Sequence, residues 1–254
     1  MLKAGTILNR LYKYLVPAVQ DQRIAELRIG LSYVGVLLDT GTAGIAAVLP
    51  ESSARGCTVL KEAGTYIGSP AAETLEYLIS GKSALYRAIG LATANAVFFP
   101  KTEVAEDREA TTYLNLQPGE KVAMVGLFAP LIERIRSTGA TLIIIEKNPQ
   151  RLELLSKEDK QRALKECDVA IITATTLLNN TFEETIDLLG AARSVILMGP
   201  STPLVLEIFH DVPVTHLGGA VISDALRVLQ IISEGGGTPA LRPHLRFLNV
   251  IKNS

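Results

Sequence analysis

Four short apolar runs in the second half of the chain, EKVAMVG, TLIIIE, DVAIIT and SVILMG, are each followed by a polar turn and then a helical stretch. A strand that is apolar at nearly every position has no face to give to water, so both of its faces must be covered. Strands of this kind alternating with helices predict a parallel sheet with helices packed on both sides, a Rossmann-like doubly wound α/β unit. VPVTHLGG reads as a weaker fifth strand. No internal repeat and no low-complexity tract interrupts the pattern.

The first hundred residues read differently. In MLKAGTILNRLYKYLVPAVQ, Leu8, Leu11, Leu15 and Val19 recur at helical spacing, which predicts a docked amphipathic helix rather than a cleaved leader. Three strand-like segments follow over 23–31, 32–39 and 42–49, with LDTGTAG as the turn between the last two, an antiparallel meander. SPAAETLEYLIS then predicts a helix with Ser69 as cap and Pro70 at its first position. SALYRAIGLATANAVFF predicts a second helix whose small residues let another element approach closely. Asn95 is its odd polar residue, explained by a bond to a neighbouring loop or by a place on a domain interface. Proline and charge concentrate in FFPKTEVAEDRE, so the expected boundary falls near Pro100: a small α+β domain over 1–100 and the Rossmann-like domain over 101–254.

Composition narrows the function. Lys+Arg 25 against Asp+Glu 26 gives a formal charge of −1, and there is no Trp. Neither a basic surface nor a stacking platform argues for nucleic acid, and no apolar run approaches a membrane span. Cys57 and Cys167 lie in no metal or redox spacing, so a reducing cytoplasm is the expected setting. The histidines His210, His216 and His244 form no ligand cluster, and no nucleophile elbow is present.

In an open parallel sheet, ligands bind beyond the carboxyl ends of the strands, where the strand order reverses. Those ends read GLFAP (Gly126 to Pro130), Glu146, the stretch TATTLLNNT from Thr173, GPSTPL from Gly199, and HLGG from His216. Some of these residues have local explanations. Thr181 and Glu184 form a T-x-x-E capping box, and Thr202 before Pro203 reads as another helix start. Thr173, Thr175, Asn179, Asn180 and Ser201 exceed what caps and turns need, which argues for a polar pocket. Helix N-termini expected after NNT, GPST and GG would favour a carboxylate or phosphate there. Glu146 lies about twenty residues after Gly126, where dinucleotide folds hold a ribose. GLFAP is not G-x-G-x-x-G, so S-adenosylmethionine or another nucleoside fits better than a dinucleotide. An exposed strand-end carboxylate facing Lys147 is the alternative. Glu146 and His216 are the titratable candidates at this edge.

VAMVGLFAPL, LIIIEKNP, DVAIITATTLLNNTFEETI, ILMGPSTPL and LGGAVISD resemble the putative heavy-metal chelation family (DUF364 with an N-terminal DUF4213), and AIGLATANAV matches it in the first half. The resemblance implies an enolase-N-terminal-like domain joined to a Rossmann-like one, with the site in the cleft between them. It points to Asn95, Gly126, Phe128, Pro130, Glu146, Thr173, Thr175, Asn180, Thr181, Gly199, Pro200, Ser201 and Thr202, and Gly218 in LGGAVISD joins the ligand-binding set. With so few Cys and His, metal is expected only through a bound small molecule. The expected activity is that of a small-molecule binding protein or enzyme that handles or makes a chelating ligand. The alternative is an enzyme dependent on S-adenosylmethionine or another nucleoside. The expected partner is a small anionic or metal-chelating molecule, with no nucleic acid and no membrane; a homo-oligomer is compatible with all of this.

Overall fold

The computed structural model describes residues 2–49, 58–98 and 113–252. Helix α1 (Thr6–Val19) buries Ile7, Leu8, Leu11, Leu15 and Val19 along one stripe, as its spacing requires. Strands β1 (Ile24–Ile29), β2 (Tyr33–Leu38) and β3 (Ala43–Ala47) form an antiparallel sheet in the order β1-β2-β3. The expected helix at SPAAETLEYLIS is only a short α2 (Ala71–Leu75) continued by a 3-10 turn over Glu76–Leu78. Pro70 stands at its cap position and Ser69 Oγ instead donates to Tyr66 O, so Ser69 does not cap it. Helix α3 (Ala84–Val97) begins where Ser83 Oγ accepts from Tyr86 N–H. It lies directly on β3: a Cβ built on Gly44 would stand 2.3 Å from both Ala92 O and Ala96 N. Only a glycine permits that approach.

The second unit runs β4 (Lys121–Val125), α4 (Ala129–Ser137), β5 (Thr141–Ile145), α5 (Lys157–Glu166), β6 (Val169–Thr173), α6 (Thr175–Leu178), α7 (Phe182–Asp187), β7 (Ser194–Met198), β8 (His216–Ile222), α8 (Ala225–Ser233), α9 (Thr238–Leu241) and β9 (Leu245–Ile251). The sheet order is β5-β4-β6-β7-β8-β9, parallel throughout except that β9 runs antiparallel to β8. Alternation along β4 shows why both faces need cover. Val122 and Met124 pack with Leu131 and Ile135 of α4, while Ala123 and Val125 belong to the cluster of Ala163 and Leu164 of α5. The order reverses at β4, which opens a crevice between the carboxyl ends of β4 and β6.

Three expectations change here. Strand β8 does not end at HLGG but continues to Ile222, and α8 starts later, where Asp224 Oδ1 accepts from Arg227 N–H. No helix starts at Pro203; the chain stays irregular until a 3-10 turn over Leu206–Phe209. A sixth strand, β9, completes the sheet. The expected boundary near Pro100 lies outside the described residues.

The two sheets are docked by apolar and polar contacts. Val228, Ile231 and Ile232 of α8 pack with Tyr33 and Ile45 of the small sheet. Glu183, buried on α7, accepts a hydrogen bond from Ile7 N–H in the first turn of α1 at 3.1 Å. Arg87 Nε of α3 donates to Leu178 O at 2.6 Å. Among the described residues, no helix is long and apolar enough to cross a membrane.

Candidate functional site

A cavity of about 580 Å³ opens between the small sheet and the carboxyl ends of β4, β6 and β7. Its size falls in the range of small-molecule sites. Tyr33 and Ala47 line it from β2 and β3, and the chain from Leu127 to Leu131 lines it from the β4–α4 connection. Thr173, Ala174 and Thr175 follow β6, while Met198 to Ser201 follow β7. Gly218 and Gly219 of β8, Thr238, Pro239 and Arg242, and Phe247 to Asn249 of β9 complete the lining.

Of the residues expected from sequence, Phe128, Pro130, Thr173, Thr175, Gly199, Pro200, Ser201 and Gly218 come together on this lining. The hydroxyls of Thr173 and Thr175 are 3.0 Å apart and hydrogen-bonded to each other. Gly199 N–H donates to Gly218 O, which ties the loop after β7 to strand β8 at 2.9 Å. Ser201 is a joint between the units: its Oγ accepts from Ala47 N–H at 2.8 Å. Asn95 Nδ2 donates to Ile45 O at 3.0 Å and to Ser201 O at 3.4 Å, so Asn95 braces that joint from behind.

Six expected residues, Asn95 among them, are absent from the lining. Gly126 sits one layer below it, with a left-handed φ of 90°, against Thr173. Asn180 is exposed and holds φ 58°, a turn conformation that Asn tolerates better than most residues. Thr181 caps nothing: its hydroxyl donates to Asn179 Oδ1, so the expected capping box is not formed. Thr202 is buried below the loop, and its hydroxyl has no hydrogen-bond partner among the described residues.

Glu146 is neither in the cavity nor exposed. Only 8% of its side chain is accessible, and Oε1 accepts from Lys147 N–H at 2.7 Å and Asn148 N–H at 3.1 Å. Arg151 pairs with Oε2 at 3.0 Å. The same guanidinium donates from Nη2 to Leu127 O at 3.1 Å, so Glu146 and Arg151 fasten the loop that forms one cavity wall. The exposed carboxylate considered from sequence is therefore corrected to a buried structural one.

His216 opens β8 rather than ending it, two residues before the lining begins at Gly218. Its Nε2 lies 3.0 Å from Asn249 Oδ1, and burial pushes its pKa below the usual histidine value despite that bond. Tyr33 hydroxyl shares a 2.7 Å hydrogen bond with Thr238 Oγ1, and burial raises its pKa. Among the described residues, Arg242 is the one charged residue on the lining, which holds no Asp, Glu, His or Cys. No group of three or more His, Cys, Asp or Glu capable of holding a metal ion occurs among the described residues. Sequence reading missed Tyr33, Thr238, Arg242, Phe247 and Asn249. The apolar and β-branched residues of LRFLNVI were the available sign of the strand that carries two of them.

Comparison with known proteins sets this geometry among relatives. The DUF364 model, putative heavy-metal chelation, matches residues 109–251, and the DUF4213 model, given the same description, matches residues 12–98. An uncharacterized protein of Methanocaldococcus jannaschii is 30% identical over 148 residues, which cover 56% of this chain and 57% of that one. The chain therefore spans little more than half the length of this curated relative. Two crystal structures of DUF364 proteins of unknown function share the fold. The one from Pyrococcus horikoshii has a TM-score of 0.80 at 20% identity, over 97% of this chain and 100% of that one. The one from Desulfitobacterium hafniense has a TM-score of 0.79 at 22% identity, over 96% and 98%. With more than half its length matched by the family model, this chain belongs to the DUF364 family, described as putative heavy-metal chelation.

Proposed function

We propose that the cleft between the two sheets binds a small organic molecule, and that any metal reaches this protein already held by that molecule. The observation that carries this reading is the lining itself: a cavity with walls from both units and, among the described residues, without a single Cys, His, Asp or Glu side chain. Hard and soft metal ions alike need such donors or a dense set of oxygens. Thr173 and Thr175, whose hydroxyls are paired, offer neutral polar contacts suited to an organic ligand, and so do Thr238 and Asn249 elsewhere on the lining.

The nucleoside alternative draws less support. A ribose at Glu146 would have to displace two backbone N–H donors and Arg151, and Glu146 does not face the cavity. The test is mass spectrometry of the small molecules released on denaturing freshly purified protein, with elemental analysis before and after their removal. An organic compound at near-stoichiometric amount, with any metal leaving alongside it, is the expected result. Stoichiometric metal that stays on protein freed of organic ligand would overturn the proposal.

A further inference from the structure

Resting on the cleft as a ligand site, we infer that Arg242 is its anion anchor, and that the ligand is an apolar body carrying one anionic group. The cavity wall is largely carbon: Leu127, Phe128, Met198, Phe247 and Leu248 leave few positions where a charge could be solvated. Burying a charge without a partner is costly, so a ligand charge must sit where the wall supplies its counter-charge. Among the described residues, Arg242 is the one place on the lining that does so.

Its geometry suits that task. The guanidinium carbon stands 5.1 Å from the centroid of the Phe247 ring, itself part of the wall. Contact with an aromatic face steadies the guanidinium and leaves its N–H fork available for a carboxylate or sulfonate. Among the described residues no carboxylate forms an ion pair with Arg242. Some other arginines do have such partners: Arg10 pairs with Asp211 at 2.5 Å, and Arg193 with Glu120 at 2.6 Å. The helix N-termini that sequence reading assigned to anion binding are not needed for this role.

The chain contains no Trp, so the F128W variant carries a single indole emitter on the cavity wall. Two fluorescent probes with the same aromatic body separate charge from shape: anilinonaphthalene sulfonate, an anion, and neutral phenylnaphthylamine. Energy transfer from the tryptophan of F128W locates each probe in the cleft and gives its Kd. Adding R242Q should weaken the sulfonate about tenfold or more, the scale of a lost charge-assisted contact, and change the neutral probe less than about twofold. R242Q lies on an exposed side chain, and an unchanged melting curve confirms that the fold is kept. Equal loss for both probes, or for neither, would overturn the anchor while leaving the cleft standing. Absence of energy transfer to both probes would overturn the cleft reading, and the anchor with it.

Discussion

Gly126 and Thr173 touch at the point where the strand order reverses: a Cβ built on Gly126 would lie 2.8 Å from Thr173 Cγ2. Gly126 directly follows β4 and Thr173 ends β6, so this contact sets the spacing of the two loops that lead into the cavity. Gly126 also holds φ 90°, a conformation that L side chains rarely adopt.

Gly126→Ala should therefore lower stability by roughly 1–3 kcal/mol, from backbone strain together with the clash. Thr173→Ala in the same chain should relieve the clash with Cγ2, while Cβ stays 3.0 Å away and the backbone part remains. Urea denaturation of the two single variants and the double variant measures the coupling. Strict additivity would show that the contact does not exist in solution.

Ser201→Ala removes the acceptor of Ala47 N–H and should cost about 1–3 kcal/mol if that amide finds no water. Hydrogen exchange at the Ala47 amide should speed up before global unfolding. Unchanged exchange would mean that the two sheets are held elsewhere.

Asn180→Gly should be close to neutral, whereas Asn180→Ala should cost about 1 kcal/mol, because φ 58° disfavours a Cβ. Thr181→Ala should cost less than the usual ~1 kcal/mol of a lost helix cap, since its hydroxyl reaches only Asn179. Thermal melts of the three variants decide this; a larger loss for Thr181→Ala than for Asn180→Ala would contradict the geometry.

Glu146→Ala strips two backbone N–H donors of their acceptor and leaves Arg151 without its partner. A loss of about 1–3 kcal/mol is expected, with looser protease protection of the β4–α4 connection at Leu127 and Phe128. Full stability in this variant would return Glu146 to the candidates for ligand contact.

Glu62 accepts from Tyr86 hydroxyl at 2.6 Å and pairs with Lys82 at 2.9 Å, which lowers its pKa to about 2. A carboxylate whose pKa is depressed in the folded state stabilises that state above its unfolded value of 4.5, and the contribution is lost as pH falls towards about 2. Tyr86→Phe removes the leading cause of the shift. Its stability should fall less steeply than that of the parent between pH 4.5 and about 2. Identical slopes would remove Glu62 from the acid response.

The parallel sheet was legible because each of its buried strands is apolar at almost every position, a pattern set by local sequence. Strand β9 was not, because it lies at the sheet edge, is interrupted by the polar residues Arg246 and Asn249, and follows two prolines. The capping box at Thr181 failed for a backbone reason. A cap needs an extended residue, and Thr181 holds φ −110° and ψ 1° after the left-handed turn at Asn180. Glu146 was placed correctly along the chain but misread in space, since its burial depends on Arg151 and on the loop at Leu127, far back in the sequence. Eight of the expected residues meet on the cavity because strand ends converge by topology, whereas the wall from Thr238 to Asn249 is assembled by tertiary contact alone.

The closeness of Gly44 to α3 bears on how such a cleft diversifies. With backbone against backbone at that crossing, β3 has no side-chain cushion to absorb a shift, and Ala47, farther along the same strand, is fixed with it. Selection for a new ligand therefore has little room on this side. The adjoining wall, at Thr238, Arg242 and Phe247, is built from side chains on a short helix, the turn after it and an edge strand. A substitution library at those three positions should yield altered ligand preference with the fold retained, while a library at Gly44 and its neighbours should yield mainly unfolded protein.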